Sequence, residues 1–313
     1  MDRGVGPTRV RMPGPGAPDP VLLSLGSLPA TAVSYVMQRF PDSAAWFADE
    51  VGAGRVRSDD GTVVTTSSPY VPGASVWFHR PIPDDAAAPV TLDVLYEDEW
   101  IIAVDKPHGL CSTPKGENVR RSAVVAGRVQ FANDEISALH RLDRSTGGVL
   151  LLCKRREHRG AFHKMFEQRS VSKTYWAVAS LNGRVDAEPV RVESRINKTQ
   201  GELQAREDPG EVNAITDVRL LVSFTDESGE WGLYEVRPLT GRTHQIRVHM
   251  TSLGLPLRGD KLYPVPLNDF DVEDPDNPMQ LIARSMTFVH PMTGESVMID
   301  SRLTPSSHAA VAG

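Results

Sequence analysis

Within the segment SALHRLDRSTGGVLLLCK, running from Ser137 to Lys154, one carboxylate, Asp143, stands between two arginines, Arg141 and Arg144, with His140 three positions before it. Neighbouring positive charge favours the ionised carboxylate, so Asp143 can act as a nucleophile or a base without help from a metal ion. A lone aspartate beside arginine is more often a structural ion pair, and it becomes a site only if other parts of the chain support it. A Ser-His-Asp hydrolase assembled from Ser145, a histidine and Asp143 would lack the GxSxG elbow that exposes the serine. His244 and His249, five residues apart, fall on different faces of a helix and have no evident third ligand, which argues against a metal centre.

The elements that must hold Asp143 read mainly as strands. GGVLLLCK leads straight out of the segment as a run suited to a buried strand, and KTYWAVAS, ITDVRLLVSF and WGLYEVRPL follow it. Upstream, TLDVLYEDEWIIAVDKP offers two β-branched runs broken by Glu97, Asp98 and Glu99. Between them, REHRGAFHKMFEQR sets Phe162, Met165 and Phe166 at helical spacing among basic residues, so one face can pack while the other stays charged, either as a plain solvated face or as the border of a phosphate-binding surface. Residues 31–50 have a helical pattern, and RVRSDDGTVV reads as two extended runs joined by Asp60-Gly61.

The 313 residues, 40% of them apolar, suffice for a large domain and a small one. Gly and Pro without periodicity over 1–19 predict a disordered tail. A small α+β domain with a candidate RNA-binding role is expected over 20–80, and the proline-rich, acidic stretch 81–90 is expected to be a linker. The main domain then covers 91–305, and 306–313 form a flexible tail. No apolar run reaches the ~18 residues of a membrane span, and the basic N-terminal stretch has no apolar segment behind it, so the expected location is the cytoplasm. Cys111 and Cys153, the two cysteines, are far apart and suit neither a disulfide framework nor a thiolate metal site. The net charge of −6 looks unfavourable for a nucleic-acid partner, but residues 143–173 hold eight basic side chains against three acidic ones, while Asp269, Asp271, Glu273, Asp274 and Asp276 form an acidic run. The distribution of charge therefore allows one basic face.

Several of these segments, taken in order, resemble one family. HRLD followed by RSTGG is similar to the HRLD-x-x-T-[SA]-G signature of RluA-type pseudouridine synthases. KTYWAVA resembles that family's K-x-Y segment, PLTGRTHQIRVHM its L-x-T-G-R-x-H-Q-I-R motif, and GLPLRGDKLY its G-x-P-[IL]-x-G-D-x-x-Y continuation. With IIAVDKPHGL in front and LIARSMTFVHPMTGE behind, the resemblance spans roughly residues 94–295, and the chain is most similar to the subgroup acting on both ribosomal RNA and tRNA stem-loops. Two departures stand out: Gly147 precedes Gly148 where Ser or Ala is usual, and Ile282 stands where many relatives have His.

The resemblance implies an α+β catalytic domain built on a mixed, largely antiparallel sheet with flanking helices, no cofactor, structured RNA as partner and no obligate protein partner. It makes Asp143 the catalytic residue, which either attacks the sugar or first removes its 2′ proton. It places Tyr175 against the flipped uracil, Arg247 beside the catalytic carboxylate, Leu281 against the base, and His140 and Arg141 at the RNA. A protein that kept the fold only to bind RNA would have no need to retain Asp143, Arg247 and Tyr175 together.

Overall fold

The computed structural model of the chain describes residues 7–79, 90–114, 120–181, 185–199, 201–269, 272 and 274–305, and the chain divides into two compact units, Met1–Ala86 and Ala87–Gly313. The expected linker over 81–90, apart from Val90, and the expected tail over 306–313 lie outside the described residues.

In the first unit the order is β1 (Thr8–Arg11), α1 (Pro20–Leu25), α2 (Ala32–Arg39), α3 (Ala44–Gly52), β2 (Arg57–Ser58) and β3 (Ser75–Phe78), with the strands paired β1-β3-β2. The tail expected over 1–19 is corrected here for its described part, residues 7–19. Residues 8–11 form a strand on β3, and Val10 and Met12 turn into the unit's core beside Val76 and Phe78 while Arg9 and Arg11 face out. Asp19 caps α1 by accepting the amides of Val21 and Leu22 at 3.0 and 3.3 Å, so the Gly/Pro-rich stretch is anchored at both ends.

The second unit contains β4 (Asp93–Glu97), β5 (Ile101–Lys106), α4 (Ala123–Gln130), β6 (Ser137–Ala138), β7 (Gly147–Cys153), α5 (Arg159–Glu167), β8 (Ser172–Ser180), β9 (Val190–Asn197), β10 (Arg206–Asp208), β11 (Ala214–Asp226), β12 (Gly229–Pro238), α6 (Gln245–Ser252), β13 (Leu281–Val289) and β14 (Ser296–Asp300). Among the described residues the strands form one sheet in the order β10-β9-β11-β12-β8-β13-β7-β5-β4, with β14 on β13 and β6 on β7. Every pairing is antiparallel except β13 with β7, so the sheet is mixed and largely antiparallel, as the sequence implied. β7 is buried at all seven positions, which is why it reads as an unbroken apolar run, whereas β11 alternates between more and less buried positions because one of its faces is better covered than the other. Phe162 and Met165 of α5 pack onto Val149, Leu151 and Cys153 of β7. The break between β4 and β5 is a turn in which Asp98 accepts the amides of Trp100 and Ile101 at 2.7 and 2.8 Å.

The parallel contact sets up the site. Across three neighbouring strands Gly148 pairs with Ala283 and Ala283 with Tyr175, which brings the tyrosine of β8 beside the start of β7, just after the loop that carries Asp143. The approach is close: Gly148 has φ +108°, and a Cβ there would lie 2.3 Å from the Ala283 carbonyl oxygen. Only glycine meets both demands. Gly148→Ala is therefore expected to cost about 3 kcal/mol or more, whereas Gly160→Ala on open helix surface should be neutral or stabilise by up to ~1 kcal/mol. Thermal melts of both variants check this, and a wild-type melt for Gly148→Ala would contradict the strand packing described.

Candidate active site

Asp143 lies in the loop between β6 and β7, and the segment that follows β5 pins this loop. The ammonium of Lys106, fully buried, donates to the carbonyls of Pro107, Leu110 and Arg144 at 3.0, 2.7 and 3.1 Å. The Gly109 amide reaches the same Arg144 carbonyl at 2.9 Å, and the Ser112 hydroxyl both donates to the Leu142 carbonyl and accepts the Leu142 amide. His108 Nδ1 lies 2.7 Å from the Ser145 carbonyl, which can only accept, so that nitrogen carries the proton. The ring of His108 also explains one departure from the family pattern, because a Cβ on Gly147 would come within 2.8 Å of His108 Nε2. The DKPHGL segment and the Gly-Gly pair therefore fit each other. With its backbone held at Leu142, Arg144 and Ser145, Asp143 has little freedom beyond its own side-chain torsions.

The partner of that carboxylate comes from α6. Arg247 Nη1 is 3.5 Å from Asp143 Oδ2, but the guanidinium is held chiefly from its other edge, where Nη2 and Nε donate to the two oxygens of Asp260 at 2.6 and 2.8 Å. The Asp260 side chain is 1% exposed and also accepts the amides of Leu262 and Tyr263. Tyr263 lies against the guanidinium of Arg247 with 4.9 Å between them. Arg247 is thus fixed before any substrate arrives, with its Nη1 left to face Asp143. The start of α6 is fixed as well: Gln245 accepts from the Thr240 hydroxyl and the Arg242 amide, and donates to the Ile215 carbonyl and the Thr216 hydroxyl.

Asp143 remains 31% exposed, so an incoming group can reach it. Half-buried Tyr175 lies on the same side, and burial together with the charge of Asp143 pushes its phenol pKa up, so it stays protonated and acts as a donor or a stacking surface. Arg141 is exposed and makes no hydrogen bond or ion pair among the described residues. Leu281 is 3% exposed on β13 opposite Ala177, in the core cluster that Tyr175 borders. His140, expected at the RNA, is turned inward: its Nε2 accepts the Leu151 amide at 3.1 Å and its ring packs on Phe166. Burial holds its pKa down to about 3, so it is a neutral part of the wall. Among the described residues there is no cluster of three potential metal ligands, and His249 is occupied with the hydroxyls of Thr216 and Ser194.

Asp143, Arg247 and Tyr175 thus converge, while Asp260 and Tyr263, to which the sequence reading gave no role, complete the arrangement. A family model described as RNA pseudouridylate synthase matches residues 100–252, which include Asp143, Tyr175 and Arg247. The dual-specificity RNA pseudouridine synthase RluA of Vibrio cholerae is 36% identical over 217 residues, covering 64% of this chain and 78% of that protein. The RNA pseudouridine synthase YhcT of Bacillus subtilis is 30% identical over 215 residues, covering 67% of this chain and 68% of its own length. This chain belongs to the RluA-type RNA pseudouridine synthase family. The fold agrees, since the solved structure of human RNA pseudouridylate synthase domain containing 1 superposes with a TM-score of 0.55 at 20% identity, covering 73% of this chain and 96% of that one. Membership makes the chain an isomerase of uridine in RNA. No helix among the described residues is long and apolar enough to cross a membrane.

Asp260→Asn should leave Arg247 with a weakened buried partner, at a cost of about 3 kcal/mol in stability and at least about tenfold in turnover from the misplaced guanidinium. RNA affinity should stay near that of the wild type. Denaturant titration, single-turnover kinetics and filter binding separate the three quantities. Unchanged turnover would show that Arg247 needs no second carboxylate.

Proposed function

We propose that this chain converts uridine to pseudouridine in structured RNA, a ribosomal RNA or a tRNA stem-loop, with Asp143 as the catalytic group. The observation that carries the assignment is the pairing of a reachable carboxylate with an arginine already fixed by Asp260. In the reaction the bond from uracil N1 to the ribose breaks, the base turns in place, and carbon 5 bonds to the sugar. Carbon 5 loses its proton and N1 gains one, so atoms and charge balance without a cofactor. Asp143 serves either by attacking the sugar or by first taking its 2′ proton, and the arginine keeps it aimed for both routes.

A uridine within a stem-loop reaches Asp143 only if it leaves its stack, which costs a few kcal/mol. Stacking on Tyr175, worth about 1–3 kcal/mol, offsets part of that, and Leu281 backs the base. Arg141, exposed and unengaged, suits a phosphate or the gap left in the stack. The names of relatives support the RNA class: dual-specificity RNA pseudouridine synthase for the Vibrio cholerae protein, and ribosomal large subunit pseudouridine synthase C for the Buchnera aphidicola protein, which is 29% identical over 220 residues. We assign RNA contacts outside the active site to the first unit and to the basic face of α5, and place the enzyme with its RNA in the cytoplasm.

Purified protein on ribosomal RNA and tRNA transcripts should form pseudouridine, and Asp143→Asn should abolish product while leaving the melting temperature and RNA affinity near wild type. An active Asp143→Asn variant would sink the mechanism. Tyr175→Phe should be milder than Tyr175→Ala, because the ring supplies the stacking and the hydroxyl only a donor. RNA affinity should fall steadily as salt rises, since phosphate contacts release counterions, and a salt-independent affinity would contradict a basic binding face.

A further inference from the structure

His244 combines a left-handed backbone with a fixed tautomer. Its φ and ψ are 56° and 19°, a conformation rare for residues other than glycine, and although it occupies the N-cap position of α6 its side chain caps no amide. Its Nδ1 lies 2.9 Å from the Tyr263 hydroxyl. That hydroxyl has a single proton, which goes to the Ala205 carbonyl at 2.8 Å, while it accepts the Ala205 amide at 2.7 Å. Towards His244 it can only accept, so Nδ1 bears the proton and Nε2 bears a lone pair. Nε2 has no partner among the described residues, and it is not one of their sealed-in orphan polar atoms, so it is open to an approaching group.

The position of this acceptor is informative. His244 meets Tyr263 edge-on at 5.6 Å, Tyr263 lies against Arg247, and Arg247 reaches Asp143. Residues 244 and 247 are three apart at the start of α6 and so share one side of it. The charges of Asp143, Asp260, Arg247 and Lys198 all act on the ring, while burial dominates and lowers its pKa, leaving it neutral. A neutral acceptor beside a catalytic carboxylate meets whatever donor the substrate carries next to the reacting carbon. By either route Asp143 works on the C1′–C2′ edge of the ribose, and the donor attached there is the 2′-hydroxyl. The other donor of the nucleotide, uracil N3–H, belongs to the base, which lies towards Tyr175 and Leu281 on β8 and β13 rather than towards α6.

We propose that His244 Nε2 accepts a hydrogen bond from the 2′-hydroxyl of the target nucleotide and is thereby the residue that selects ribose over deoxyribose. The inference rests on the reading of Asp143 as the catalytic group. Its test is a double-mutant cycle between protein and substrate, using a synthetic stem-loop RNA that the wild type turns over, made with uridine or with 2′-deoxyuridine at the target position. His244→Asn suits the left-handed backbone and keeps a donor for Tyr263, but it removes Nε2.

Wild type should lose about tenfold in kcat/KM on the deoxy substrate, the scale of one hydrogen bond. His244→Asn should lose about tenfold on the ribose substrate and then be indifferent to the 2′ position. If the variant remains as sensitive to the 2′-hydroxyl as the wild type, the assignment is overturned, even if its activity has dropped. His244→Gly, also at ease in this conformation, repeats the cycle should the asparagine variant melt early. A wild type with no turnover on any ribose substrate, or an active Asp143→Asn, would instead overturn the underlying reading.

Discussion

The site depends on an arginine with two carboxylates and one aromatic ring around it. Asp260 takes both N–H groups on one edge of Arg247, Tyr263 covers a face, and Asp143 receives what remains at 3.5 Å. Burying a guanidinium is costly unless it is well paired. Pairing with Asp260 meets that cost in the resting protein, so the bond to Asp143 need not be strong and can tighten as substrate arrives. Had Asp143 been the main partner, the carboxylate would be locked in an ion pair and less available for chemistry.

Two further constraints converge on the same point. The end of β5 and the segment after it tie the Asp143 loop down through three carbonyls, using an ammonium, an imidazole, a hydroxyl and a backbone amide as donors. On the other side, Gly148 lets β13 run against β7, which delivers Tyr175 to the carboxylate. The backbone thus supplies precision, while the side chains of Asp143 and Tyr175 stay partly exposed.

Much of this is legible in the sequence where the signal is local. β7, β8, β11 and β12 show as apolar or alternating runs, and Asp143, Arg247 and Tyr175 show through ordered motifs. β1 was hidden because Gly and Pro around it mask the alternation of Arg9, Val10, Arg11 and Met12. α4 was hidden because Val124, Val125 and Val129 are weak helix formers, and its helix is set by packing against Leu92, Ile136 and Leu152. Asp260 sits thirteen residues from Arg247, and no spacing rule connects a helix to a following loop over that distance. His140 misled for the opposite reason: it stands in the richest motif, yet its ring serves the backbone of β7. Gly147 read as a departure in sequence and becomes intelligible only beside His108.

The central claim is that a carboxylate at position 143 isomerises a defined uridine in cellular RNA. Its most direct test is pseudouridine mapping by carbodiimide-dependent reverse-transcription stops on total RNA from cells with the gene, without it, and with Asp143→Asn in its place. The account predicts a stop that vanishes on deletion, returns with the wild type and stays absent with the asparagine variant. A stop restored by that variant would contradict it.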